Sequence, residues 1–238
     1  MAEEFVIVIP VYQGVDLLDV AAPREMFGWV QTTMTGQTVK VIVASERGGV
    51  IATRNVKAGS GGEPGFNGMK IVSDATFAEI HHVDLLWVPG GDPAALKQQF
   101  ANPVYMNFLQ QVAMNAQYVT SVCEGALLLA EAGLLKGYDA TTHWAFLECL
   151  RDKKYGVKTV IPVDPTCNAD FPRFVVDDHK GQKGIRVTGG GISSGLDESL
   201  ELIKRFAGPD AASHVRLNTQ YFPVPPVDAT IPLQAPPC

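Results

Sequence analysis

Apolar and polar positions along the chain alternate between two kinds of block. Short runs of β-branched residues read as strands buried on both faces, and longer mixed stretches have helical spacing. Phe5 to Val11 (FVIVIPV), Val39 to Ala44 (VKVIVA) and Val83 to Val88 (VDLLWV) are the first three strand blocks. Tyr118 to Val122 leads into Cys123, and Ile185 to Thr188 is a later strand. After the Gly14 turn, Asp16 is placed to cap a helix carrying Leu17, Leu18, Val20 and Ala21. Pro23 to Val30 continues the helical pattern, with Pro23 at a new first turn. Asn102 to Gln117 reads as an amphipathic helix with Val104, Phe108, Val112 and Met114 facing inward.

The remaining blocks are shorter. Arg47 to Gly68 is Gly-rich, and SGGEPGFNG within it is a loop or hairpin connection; without a Lys-Ser/Thr ending it is not a phosphate loop. Asp74 to Ile80 resembles a short helical link. After Gly137 a short strand precedes a helix starting near His143, and two strand-like runs, VKTVIPV and RFVVDD, flank a polar turn with Cys167. His179, among charged residues, reads as solvated. Ser193 or Ser194 is placed to cap a helix bearing Leu196, Leu200, Ile203 and Phe206, and Asp210 a final helix running to about Tyr221. Buried strands alternating with helices predict an α/β fold with a parallel sheet. Residues 1–222 form one domain, and 223–238 a Pro-rich tail with six prolines.

Composition narrows the function classes. The 238 residues carry a net charge of −6 and no basic run, so nucleic-acid binding has no electrostatic support. Neither a signal peptide nor a membrane span is evident, and the chain ends without a helix-turn-helix module. Cys123, Cys149, Cys167 and Cys238 lack metal-ligand spacing, so the reading is no metal, no disulfide scaffold and a reducing, cytoplasmic setting.

The chemistry gathers at the strand ends. Cys123, where a strand turns into a helix, faces that helix's first free N–H groups, which favour a thiolate and an adjoining oxyanion; the competing reading is a small core residue. Asp19 lies just beyond the first strand's carboxyl end, where open α/β sheets place ligands, or is a second helix cap. Gly90 and Gly91 let the backbone approach a ligand as an oxyanion hole does, or form a tight turn before a helix capped by Asp92. Gly189-Gly190-Gly191-Ile192 repeats such a close approach. His143, 20 residues after Cys123, is a candidate partner for the thiol, or a cap or interface residue.

Four segments, LDVAAPREMF, VPGG, YVTSVCEGALLLAEAGLLKGYDATTHWAF and VTGGGISSGLD, together resemble the ThiJ/PfpI superfamily within the class I glutamine amidotransferase-like folds. Within it they are most similar to isocyanide hydratases, down to the Pro-rich exit YFPVPP. The resemblance implies a doubly wound, mostly parallel sheet with helices on both faces, as in flavodoxin-like sandwiches, and a nucleophile-elbow cysteine. It implies a homodimer acting on a small molecule without a cofactor. Residue by residue, it makes Cys123 the nucleophile and Asp19 the acid bonded to its sulfur. Gly90 and Gly91 become backbone donors near the thiol, and Gly191 and Ile192 the peptide beside it. His143 matches the His of a common TTH motif. Where hydratases carry Thr after the nucleophile this chain has Glu124, a candidate oxyanion- or substrate-positioning residue; if ionised near Cys123 it opposes thiolate formation, so either it points away from the sulfur or it is protonated and acts as a donor. The expected activity is hydration of an isocyanide to an N-substituted formamide through a covalent thioimidate. The alternatives are glyoxalase or deglycase-like action on a reactive carbonyl, or a cysteine redox sensor.

Overall fold

The computed structural model describes residues 4–30, 36, 38–54, 68–162, 173–179 and 184–223. In chain order the strands and helices are β1 (Glu4–Pro10), α1 (Leu17–Gly28), β2 (Thr38–Ser45), β3 (Val50–Ala52), β4 (Lys70–Val72), β5 (Ala75–Thr76), β6 (Leu85–Val88), α2 (Pro93–Phe100) and α3 (Pro103–Ala113). They continue with β7 (Tyr118–Ser121), α4 (Gly125–Glu131), β8 (Asp139–Ala140), α5 (Leu147–Leu150), β9 (Thr159–Val160), β10 (Phe174–Asp177), β11 (Ile185–Gly189), α6 (Ser194–Ala207) and α7 (Pro209–Asn218). The main sheet runs β10-β11-β7-β6-β1-β2-β5, parallel except for β10 at its edge. This is the mostly parallel α/β sheet expected from the strand pattern. β1 lies inside the sheet: Ile7, Val8 and Ile9 are fully buried between β2 and β6. Chain order reverses across β1, so the crevice beyond the carboxyl ends of β1 and β6 is where such sheets bind ligands.

Several local expectations change in three dimensions. Pro23 does not start a new helix; it lies inside α1. A proline has no N–H, so the carbonyl of Asp19 four residues earlier loses its helical donor. The indole Nε1–H of Trp87 on β6 supplies the bond instead, at 2.9 Å. The inward face of α3 is Tyr105, Phe108, Leu109 and Ala113, while Val104 and Met114 are exposed. The phase is set by Tyr105: its ring packs edge-on against Tyr12 and Phe77, and its hydroxyl donates to the Pro10 carbonyl.

Asp74 to Ile80 is mostly a two-residue strand and one 3-10 turn, and the described part of VKTVIPV pairs only at Thr159 and Val160. Neither Ser193 nor Ser194 caps α6 through its side chain; the Ser194 hydroxyl donates back to the Gly191 carbonyl. Gly208, not Asp210, precedes α7, which ends at Asn218. His179 pairs with Asp177 and stacks near Tyr138 rather than standing free in solvent. Cys149 is disulfide-bonded, which corrects the reading of four scattered thiols: spacing along the chain does not report which cysteines meet in space. Cysteine usage therefore no longer argues for a reducing compartment. Cys167 and the tail beyond Pro223 lie outside the described residues. Among the described residues no helix is long and apolar enough to cross a membrane.

The Trp87 bond yields a stability prediction. Trp87→Phe keeps most of the ring packing but strands the buried Asp19 carbonyl, which costs about 1–3 kcal/mol. The urea unfolding midpoint is expected to fall accordingly; an unchanged midpoint would mean that the carbonyl finds another donor.

Candidate active site

Cys123 occupies the step between β7 and α4 with φ +56°, the left-handed region that a non-glycine residue enters at a cost of about 1–2 kcal/mol. Bonds from three directions hold it there. Its N–H donates to the Gly190 carbonyl at 2.7 Å, its carbonyl accepts from the Thr142 hydroxyl at 2.7 Å, and the preceding Val122 N–H donates to Val88 at 3.1 Å. The next turn is equally tight: a Cβ on Gly125 would stand 2.0 Å from the Val88 carbonyl oxygen, so only glycine lets α4 begin so close to β6. The sequence YVTSVCEG thus builds an elbow that presents a cysteine side chain rather than folding it away.

The thiol is nearly enclosed, yet it lines a cavity of about 800 Å³ with Asp16, Arg54, Glu124, His143 and Ile192 around its inner end. The Cys123 sulfur and one carboxylate oxygen each from Asp16 and Glu124 all lie within 4.8 Å of one another, and all three residues are buried. The Glu124 carboxylate is thus the acid directly beside the thiol. Its Oε2 has no partner. Gly90 makes room for it: a Cβ there would sit 2.6 Å from Oε2. Burial pushes Glu124 up to about 7, against the opposing pull of the neighbouring thiol. Burial, then the charges of Asp19 and Glu124, push the Cys123 thiol well above its usual range. The resting group is therefore a neutral thiol beside an acid, not the preformed thiolate expected at a helix start.

The other anticipated residues take more specific places. Asp19 is fully buried, does not line the cavity, and accepts the Gly90 N–H on Oδ2 at 2.8 Å. That N–H is therefore committed to a carboxylate and is not open to an oxyanion, contrary to the expected role of Gly90. Gly91 forms an isolated antiparallel bridge with Val15, locking the loop to the segment before α1. Burial and the neighbouring Asp16 and Glu124 charges hold Asp19 well above the ordinary carboxylate range. His143 precedes a single 3-10 turn, and its Nδ1 accepts from Ala145 N–H at 3.2 Å. Burial first and Arg54 second lower its pKa, so the ring is neutral and its proton sits on Nε2. In that tautomer it is a donor, not a base. Gly191 packs against the His143 ring, and Ile192 forms part of the cavity wall.

Two site residues escape a reading by sequence. Asp16 holds the N-cap position of α1 without capping it; its carboxylate instead meets Arg54 at 3.4 Å. Arg54 leaves β3, and its N–H donates to the Val15 carbonyl, which seats its side chain over the cavity. Nothing local in Thr-Arg-Asn signals this. Glu198 on α6 is also fully buried, with neither oxygen partnered. Burial, reinforced by Asp19, raises its pKa strongly.

The model of the DJ-1/PfpI family matches residues 6–179, most of the chain and all of the elbow. The chain belongs to the DJ-1/PfpI family. Among curated members and relatives, it is 36% identical to the isonitrile hydratase of Pseudomonas putida over 169 residues, 71% of this chain and 65% of that protein. It is 28% identical to the transcriptional regulator CdhR of Pseudomonas aeruginosa over 63% of this chain, but only 39% of the regulator. The chain thus spans less than two thirds of the length of these relatives. Among solved structures, a ThiJ/PfpI family protein from Pseudomonas syringae superposes with a TM-score of 0.75 at 27% identity, covering 98% of this chain and 81% of that one. DJ-1beta of Drosophila melanogaster shares the fold, at a TM-score of 0.65 and 15% identity over 92% of this chain and 98% of its own.

For this DJ-1/PfpI chain the buried acid leaves a measurable mark on stability. A carboxyl held at about 7 when folded and near 4.5 when unfolded keeps a proton that the unfolded chain releases, so its contribution is full below pH 4.5 and is lost as pH rises towards 7. Within that window, Glu124→Gln is expected to remove a slope of up to about 1.4 kcal/mol per pH unit relative to wild type. Chemical denaturation at several pH values reads it out; parallel curves would place Glu124 in an ordinary solvated environment.

Proposed function

We propose that this chain is a cysteine-dependent hydratase that adds water to an isocyanide and releases an N-substituted formamide. The observation that carries the reading is the buried Cys123 thiol within 4.8 Å of the Glu124 carboxylate on the wall of a cavity of about 800 Å³. An isocyanide carbon must gain both a nucleophile and a proton, and a thiol beside a carboxylate supplies both from one place. Sulfur attacks the terminal carbon, and the proton that leaves the thiol returns to that same carbon, giving a thioimidate. Water then adds to the carbon, nitrogen gains a proton, and the carbon–sulfur bond breaks to release the formamide and the thiol. The sum is one isocyanide plus one water. The resemblance to an isonitrile hydratase supports the substrate class. A sensor that relies on a resting thiolate fits less well, because burial and two acids hold the sulfur protonated.

The reading includes a homodimer and small-molecule turnover without a cofactor. Its test is formamide production from alkyl and aryl isocyanides. Wild type is expected to release formamide, and Cys123→Ala to fall to background. No formamide from any isocyanide rejects the hydratase; Cys123-dependent loss of methylglyoxal would instead establish a glyoxalase, and peroxide oxidation without turnover a sensor.

A further inference from the structure

The resemblance assigns the proton to Asp19, but the geometry gives it to a different residue. Asp19 does not line the cavity; its Oδ2 is occupied by the Gly90 N–H, and its Oδ1 is buried without a partner. Glu124 lines the cavity, places a carboxylate oxygen within 4.8 Å of the Cys123 sulfur, and keeps Oε2 unpartnered in a residue only 3% exposed. His143 is excluded as a base by its bond from Ala145. We propose that Glu124 is the catalytic carboxylate that exchanges the proton with Cys123, while Asp19 is a positioning residue that holds the Gly90 loop against the elbow. The proposal rests on the hydratase reading for its chemistry, and on the elbow geometry alone for the contact between acid and thiol.

The proton follows a closed path. As the carbon–sulfur bond forms, the thiol proton passes to the Glu124 carboxylate, and the resulting carboxylic acid delivers it to the isocyanide carbon. In the second half, Glu124 takes a proton from the attacking water and returns one to the departing sulfur, while the nitrogen keeps the other. Glu124 ends as it began. The charged and titratable groups around it are Tyr12 beyond β1, Asp16 at the N-cap of α1, Asp19 on α1, Arg54 beyond β3, the adjoining Cys123, and His143 in the cavity wall. Tyr12 is held protonated by burial, and the Asp16 carboxylate is paired with Arg54. A position near 7 lets Glu124 work in both directions at neutral pH.

Two readouts separate this role from a structural one. Alkylation of Cys123 by iodoacetamide needs only the thiolate, whereas formamide release also needs the proton returned. In Glu124→Gln the carboxylate charge is gone, so the thiol ionises more easily and alkylation at pH 7 is expected to rise severalfold. Formamide turnover is expected to fall by about 10²–10⁴-fold, and the limb of kcat/KM that rises with pH through about 7 in the wild type to disappear. Asp19→Asn keeps an acceptor for Gly90 and is expected to lose less turnover, with that limb in place. The proposal is overturned if Glu124→Gln lowers both readouts together, or if Asp19→Asn removes the limb while Glu124→Gln retains it. Should wild type release no formamide at all, the hydratase reading fails, and alkylation still decides the contact. A pH profile shifted more by Glu124→Gln than by Asp19→Asn supports it, and an unshifted profile rejects it.

Discussion

Everything around the cavity depends on one residue standing in a backbone conformation it does not favour. The left-handed turn at Cys123 is held because its N–H, its carbonyl and the preceding N–H bond to three separate segments: Gly190 beyond β11, Thr142 beyond β8 and Val88 on β6. About 1–2 kcal/mol of strain is offset by bonds that cannot form in any other local geometry. The consequence is directional. A cysteine in a relaxed strand or helix would pack into the core; at this elbow it remains 1% exposed and still forms part of a cavity wall. The loop from β6 comes close enough to complete the site because Gly90 carries no side chain.

The same burial sets the electrostatics. Asp16, Asp19, Glu124 and Glu198 are all buried, and Arg54 lines the cavity and pairs with Asp16. In so little water the carboxyls are raised rather than lowered, and the thiol rises with them. A nucleophile of this kind works by proton exchange with a neighbour rather than by standing ionised. Reactions that must deposit a proton on the carbon attacked suit it better than reactions that need only a strong resting anion.

Much of this architecture was legible along the chain. β-branched runs identify the buried strands because a parallel sheet covers both of their faces, and a strand that ends in Cys-Glu-Gly before a helical pattern marks the elbow. What escaped has physical causes. Asp16 reads as a cap because its backbone is at the N-cap position; only a partner 38 residues away turns its carboxylate towards the cavity. Pro23 reads as a helix start because a lone sequence does not show that an indole on β6 will take over the missing bond. The inward face of α3 was misphased because Tyr105, with its polar hydroxyl, counts as a surface residue until Pro10 accepts its hydrogen bond. The role of Gly90 was read from its backbone alone, and its N–H proved to be spoken for by Asp19.

Pro23 has an effect that reaches beyond helix geometry. By leaving the Asp19 carbonyl to Trp87, it ties the backbone of that acid to the central sheet, while the side chain is tied at its other end to the Gly90 N–H. Both ends of a two-carbon reach are thus pinned to neighbouring positions of one strand–loop segment, Trp87 and Gly90. The span admits an aspartate. A glutamate, one methylene longer, would have to buckle or push the loop towards the elbow, where Gly90 already lies against Glu124. A proline in the middle of a helix thus helps fix the backbone of the acid whose side chain holds the Gly90 loop.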